Sequence, residues 1–426
     1  MSDRTLREMG RDRFPVDPRR ASVLGEIHAR PFPLLSLPRA IVTIAFMTED
    51  GGERDREVLA ELSRRQGVPP PALDARTHGF VFGQGRLRWE RHTEFSTYSW
   101  DGPAPERFGQ PVTGHPFGAE FEAPGPMMAG VHIEIRQKSA SDEAALKSFD
   151  RSSYCCSNMD GGLAMAATDF RQDADGLTRM LVLSDGLTPA RAGALAMRLV
   201  DLEVYRTLAL LGLPLAHDVG PAIEVLEGQL VKITDEMKGG SEDSRALLQE
   251  LTLAAAEVEA TAARVLYRFG ASRAYDDIVR ERLAAVGEQT VPGSESWSAF
   301  LQRRMAPAMR TCLSVDRRLA VLSEKLSRAA NLLRTRIDVE LEHQNRDLLS
   351  SMDRRARLQL RLQQTVEGLS VAAIGYYVVG LFGYVAKALE KEGFPVSATM
   401  LTAGFVPVAL LGVWTVVRRI RRSHTD

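Results

Sequence analysis

Three cysteines in 426 residues are too few to staple a fold. Two of them, Cys155 and Cys156, are adjacent and cannot easily bridge each other, which excludes a disulfide-built secreted module. An excess of charge is also missing. The 54 Lys+Arg against 55 Asp+Glu leave a net charge of -1. No global basic field exists to hold a nucleic-acid backbone, and no nucleic acid is expected as a partner. The start, MSDRTLREMGRDRFPVDPRR, has no apolar run, so a secretory signal is not expected there. Mean hydropathy is only -0.15, which excludes a many-span transporter but leaves room for a few apolar helices. What remains is globular: 44% hydrophobic and 26% charged residues, in a length that suits two or three domains.

Along the chain, Arg19–Phe32 has the pattern of a short helix stopped by Pro31. AIVTIAFM from Ala40 is β-branched and continuous, the pattern of a buried strand. Val58, Leu59 and Leu62 recur at helical spacing, with Gly67 as a stop. FVFGQGRLRWERH predicts two strands around a Gly83-Gln84-Gly85 turn, and EFSTYSW a third. Asp101–Met128 is rich in Pro and Gly without periodicity. AGVHIEIR, SSYCCSNM, GLAMAATDF and TRMLVLSD predict further strands, and DEAALKSF a short helix. After Asp185 strand signals stop. Thr188 and Pro189 open a helix as cap and first residue. Helices continue with expected breaks near Pro214, Gly239-Gly240 and Val291-Pro292-Gly293. From about Ala308 to about Leu389 no proline occurs, and the first glycine is Gly368. At the helical rise this is a rod of roughly 120 Å, longer than any globular core needs.

Two runs lack charge. Leu369–Ala386 and Val396–Val417 each match a bilayer core in length. Arg354, Arg355, Arg357 and Arg361 precede the first, and Arg418, Arg419, Arg421 and Arg422 follow the second. The short connection balances Lys387 and Lys391 with Glu390 and Glu392. The expectation is a multi-pass hairpin in a bacterial inner (cell) membrane, with both termini cytoplasmic and the lipid bilayer as a partner. The fold class expected is thus an α+β/α-helical membrane protein. Its parts are an amino-terminal α/β domain with a mixed sheet (1–185), a helical region (186–307), a stalk helix (308–368) and a transmembrane hairpin (369–426).

With Leu349 as an a position, the a and d residues of the rod are Asn345, Leu349, Met352, Ala356, Gln359, Gln363, Val366, Ser370, Ala373, Tyr377, Gly380 and Tyr384. None is charged, while flanking positions hold Arg346, Asp347, Asp353, Arg354 and Glu367. A stripe of this period is the seam of a left-handed helix bundle, which predicts a homo-oligomer. Built for stability alone, it would be Leu and Ile. Its amides, hydroxyls and small residues suit a hydrated conduit as well, so Asn345, Met352, Gln359, Gln363, Ser370, Tyr377, Gly380 and Tyr384 are candidate pore or seam residues.

The order of these parts resembles the CorA-type magnesium channels. The resemblance implies a homopentamer whose first span lines a pore for divalent cations. The Gly-Met-Asn signature of that family is absent, and Gly383-Tyr384-Val385 stands near its place. At closer range, Leu24–Phe46 (LGEIHARPFPLLSLPRAIVTIAF) and Arg361–Leu381 (RLQQTVEGLSVAAIGYYVVGL) are similar to an uncharacterised bacterial membrane-protein family, a domain of unknown function, over essentially the full length. That resemblance implies no activity.

Catalytic signatures are missing. No phosphate-binding Gly-Lys-Ser/Thr loop, His-Glu-x-x-His or Gly-x-Ser-x-Gly occurs, and Cys155-Cys156 has no zinc spacing. The chain is not expected to be an enzyme, and no cofactor is assigned. Two pairs remain, Glu26 with His28 and His132 with Glu134. On a strand the second pair shares one face, and together the two pairs could make a carboxylate–imidazole metal site. Arg30 beside His28 is the plainer alternative, pairing with a carboxylate to tie the amino segment to the sheet.

Overall fold

The structure is a computed structural model that describes residues 17, 19–20, 23–24, 31–48, 52–139, 142–239, 243–393 and 395–423. The chain forms two compact units: Met1–Gly240 with Gln249–Ala329, and Ser241–Leu248 with Ala330–Asp426. The helix expected over Arg19–Phe32 lies largely outside the described residues, as do Glu26, His28 and Arg30.

In the first unit the alternating segments pair into one nine-stranded sheet. The strands are β1 (Arg39–Met47), β2 (Thr77–Phe82), β3 (Gly85–Arg91), β4 (Phe95–Pro103), β5 (Met127–Gln137), β6 (Cys155–Met159), β7 (Ala164–Gln172), β8 (Thr178–Ser184) and β9 (Gln289–Thr290). Their order is β2-β3-β4-β1-β5-β8-β7-β6-β9. Among these strands β5 and β8 pair in parallel, with the β6–β7 hairpin intervening in sequence. The sheet is therefore mixed, as expected. Strand β9 lies just before the expected break at Val291-Pro292-Gly293, and its two residues carry no readable period.

Period-2 alternation sends each strand to two cores. Ile133, Ile135, Met180, Val182 and Ala166 face α3 (Pro189–Ala209) through Leu195, Ala196, Leu199 and Leu202. Val42, Ile44, Phe46, Leu87, Tyr98 and Trp100 face α1 (Glu53–Arg65) through Val58, Leu59 and Leu62. The aperiodic stretch forms no regular element between 104 and 126, and its Val112, Phe117 and Phe121 pack on the α1 side of the sheet. Farther along that face, Phe149 follows the short α2 (Asp142–Leu146) and packs with Cys156, Leu181 and Leu183. Cys155 and Cys156 are both buried in β6 but belong to opposite cores.

Helices α4 (Gly212–Lys238), α5 (Ser244–Ala285) and α6 (Trp297–Lys391) complete the α region, with α7 (Ala398–Ser423) after them. Thr188 accepts from Arg191 N–H and Pro189 opens α3, as the capping pattern predicts. Two expected boundaries shift. The break near Pro214 falls at Leu210-Leu211, leaving that proline in the first turn of α4, where its missing N–H costs nothing. The long helix starts at Trp297 rather than near Ala308 and runs through Pro307. Burial of Leu301, Met305, Ala308 and Met309 around that proline offsets the lost backbone bond. Its first residue is pinned: Trp297 is fully buried, its indole N–H donates to Ala166 O, and its backbone N–H donates to Glu288.

Candidate functional site

The second unit holds the two apolar helical stretches, both long and apolar enough to cross a membrane. They pack as a hairpin along one stripe of α6. Gly375 and Ala386 are buried there, with Ala398 and Ala409 on α7. Phe382 stacks on Phe405 with ring centroids 3.9 Å apart. A methyl group at Gly375 would stand 3.1 Å from Leu410, so the absence of a side chain sets this close approach.

The seam residues occupy the opposite side. At 100° per residue, Ser370, Ala373, Tyr377, Gly380 and Tyr384 lie about 140–220° around the helix from Gly375. Tyr377 is 70% exposed and Tyr384 75%, and nothing stands within 4 Å of where a side chain at Gly380 would begin. The Ser370 hydroxyl donates to Val366 O at 2.9 Å, which satisfies its proton inside the helix and leaves its oxygen as an acceptor. Sequence reasoning grouped these residues by period. Their placement opposite α7 depends on the packing of the two helices.

Before the apolar stretch, every residue of α6 from 338 to 366 is exposed. Asn345, Gln359 and Gln363 lie there with Leu349, 65% exposed, and Met352, 57% exposed. Flanking charges pair along the helix, Arg346 with Glu342 and Arg357 with Asp353. The apolar surface is wider than the two-position seam. Leu348, Leu358, Leu360 and Leu362 are exposed as well, and Tyr376 contacts Tyr377 edge-on. The heptad reading missed these leucines because they fall outside a and d.

The His132–Glu134 pair does share a face of β5, under the stretch 104–126. His132 Nε2 lies 3.5 Å from Glu134 Oε1 and has no hydrogen-bond partner. Burial pushes the imidazole pKa down to about 4. Nearby Arg179, His115 and Arg136 push the same way, and Asp173 opposes them. Glu134 is fully buried, and that burial raises its carboxyl pKa against the pull of Gly109 N–H and Arg136. Its oxygens are engaged: Gly109 N–H donates at 3.1 Å and Arg136 Nε at 2.9 Å. Arg136 also donates to Pro105 O and Glu106 O. The arrangement clamps the 104–126 stretch onto the sheet. Among the described residues no group of three or more His, Cys, Asp or Glu is placed to hold a metal ion. Of the expected four-residue metal site, Glu134 serves Arg136, and Glu26 and His28 lie outside the described residues.

These observations define an α+β protein with a mixed sheet, a helical remainder and a hairpin of two helices that could span a membrane. The chain belongs to the family described as "Protein of unknown function (DUF3422)", whose model matches residues 15–424. No curated protein matches the sequence.

Proposed function

We propose that the chain is a homo-oligomeric membrane protein in which copies of α6 pack seam to seam around a hydrated path for cations, with α7 outside. One observation carries this reading: Ser370, Tyr377, Gly380 and Tyr384 face away from α7, where a neighbouring copy is free to meet them. Polar groups inside a bilayer turn toward protein or water rather than lipid, and uncharged oxygens can replace the water around a cation without trapping it. The exposed stripe from Leu349 through Val366 supports assembly, because a lone helix cannot bury it. The pentameric CorA-like plan remains one form this assembly can take.

Two measurements test it. Mass measurement of the detergent-solubilised protein should give an oligomer, and Leu349→Lys with Met352→Lys should weaken it by placing charge in the seam. Liposomes carrying the protein should pass cations, and Ser370→Leu should abolish the flux while leaving the mass unchanged. A monodisperse monomer, or no flux of any cation, would overturn the conducting reading.

The second reading is a non-conducting membrane-anchored scaffold or sensor. It is supported by a cleft of about 530 Å³ at the end of the sheet, lined by Arg76, Arg91, His92, Tyr205 and Tyr275. Flux without effect of ligands on the first unit favours the channel; ligand binding without flux favours the sensor.

A further inference from the structure

Two grooves run along α4 on the first unit, and they carry opposite charge. One, of about 590 Å³, lies between α4 and α6. Its floor is Leu230, Leu313 and Leu322, with exposed Val231 and Val321 on its walls. Arg310, Arg317 and Lys325 rim it, all exposed and without an ion pair among the described residues. Arg318 also lines it but is neutralised by Glu227 at 2.8 Å. The other groove, of about 570 Å³, lies between α4 and α5. Leu226, Ile233 and Ala254 form its floor, and exposed Val225 and Leu253 stand beside it. Its rim carries Glu250 and Glu257, exposed and likewise without an ion pair among the described residues. Lys232 there is answered by Glu236.

The spacing also matches. Glu250, Leu253 and Glu257 follow each other along one stripe of α5, and Arg310, Leu313 and Arg317 repeat that spacing along α6. The seven-residue step from one charge to the next spans about 10.5 Å on each helix, so two carboxylates and two guanidiniums can meet in register with a leucine pair between them. A single chain does not bring these stripes together. On the α5 stripe Leu253 is 65% exposed, whereas Leu313 is half-buried in the floor of its groove.

We infer that the occupant of the α4/α6 groove is the α5 stripe of a second copy of this chain. The contact joins two different patches, so it is heterologous and, repeated, closes a ring or extends a filament. It rests on the homo-oligomeric reading above and names the surfaces that would assemble outside the hairpin. Leu253 on the apolar floor of the α4/α6 groove supplies the affinity, while the charged rims set register and exclude the two like-charged pairings, basic on basic and acidic on acidic.

The full-length protein in detergent is the material for the test, with mass measurement run beside it. Leu253→Cys and Ser314→Cys combined in one chain should form disulfide-linked ladders on mild oxidation, whereas either change alone should not. The native Cys155, Cys156 and Cys312 are buried and stay silent. Arg317→Glu should weaken assembly about tenfold at low salt, as should Glu257→Arg, and the two together should recover it. If the mass shows an oligomer but no ladder forms and the charge changes have no effect, this interface is wrong while the oligomer stands. Dimers from Leu253→Cys alone would replace it with a symmetric contact. A monomeric mass removes both.

Discussion

The Tyr98 hydroxyl donates to Asp55 Oδ1 at 2.7 Å, joining the first turn of α1 to the centre of β4. The same oxygen accepts from Ser96 Oγ at 2.7 Å and from Trp89 Nε1 at 3.3 Å. Asp55 is fully buried, and its other oxygen has no partner. The carboxylate pushes the Tyr98 pKa upward, with burial as the larger cause. One side chain thus holds a helix on the sheet by collecting three buried donors.

Removing that side chain strands Ser96 and Trp89 and leaves the Tyr98 hydroxyl only the Asp55 backbone oxygen, 3.5 Å away. A buried donor without a partner costs about 1–3 kcal/mol, so Asp55→Ala should lose about 3 kcal/mol or more. Tyr98→Phe removes one donor and keeps the ring, and should lose about 2 kcal/mol. Denaturant midpoints read from tryptophan fluorescence will check this, since Trp89 and Trp100 are both fully buried beside the network. Equal midpoints for wild type and Asp55→Ala would show that the network contributes nothing.

The buried His132 predicts acid sensitivity. Its folded pKa is about 4 against 6.5 in the unfolded chain. Below 6.5 the unfolded chain binds a proton that the folded form refuses, so stability falls as pH drops from about 6.5 to about 4, by about 3 kcal/mol in all. Glu134 works the other way, because a carboxyl with a raised folded pKa stabilises the fold as pH falls through that value. The reading is therefore a difference. Unfolding free energies measured between pH 7 and 4 should drop less steeply for His132→Asn than for wild type. Parallel curves would contradict it.

The hairpin predicts sidedness. The connection between α6 and α7 should lie outside the cell and the end of α7 inside, following the arginine asymmetry. Glu392→Cys is a better probe than a cysteine at Gly393, whose φ of 95° would strain any side chain. An impermeant maleimide should label Glu392→Cys in intact cells and Ser423→Cys only after permeabilisation. Labelling in the reverse order would invert the topology.

The seam predicts that small residues on the α7-facing stripe matter for the hairpin rather than for any path. Gly375→Leu should push α7 away, because Leu410 already stands 3.1 Å from its first added carbon. Crosslinking between cysteines replacing Phe382 and Phe405, whose rings now stack, should form readily and should fall in the Gly375→Leu background. Undiminished crosslinking would mean that the helices do not pack here.

Much of the fold was legible because it depends on local periodicity and caps. β1 is readable as a continuous β-branched run, α3 from Thr188 and Pro189, and the two apolar stretches from length and absence of charge. Those signals are written into adjacent residues, so they survive without knowledge of the rest of the chain. Where the long helix begins was not legible: local rules stop it at Pro307, and only the burial of Met305, Ala308 and Met309 carries it through. His132 and Glu134 were readable as sharing a strand face, but not that Arg136 and Gly109 had already claimed the carboxylate. Asp55 gave no sign at all, since Trp89, Ser96 and Tyr98 reach it across 34 to 43 residues. By itself the sequence determined which residues form the apolar and polar stripes, because a stripe is a property of one helix. Which stripe meets a neighbour was decided by tertiary packing: Gly375 and Ala386 let α7 approach one side of α6 and leave Ser370, Tyr377 and Tyr384 on the other.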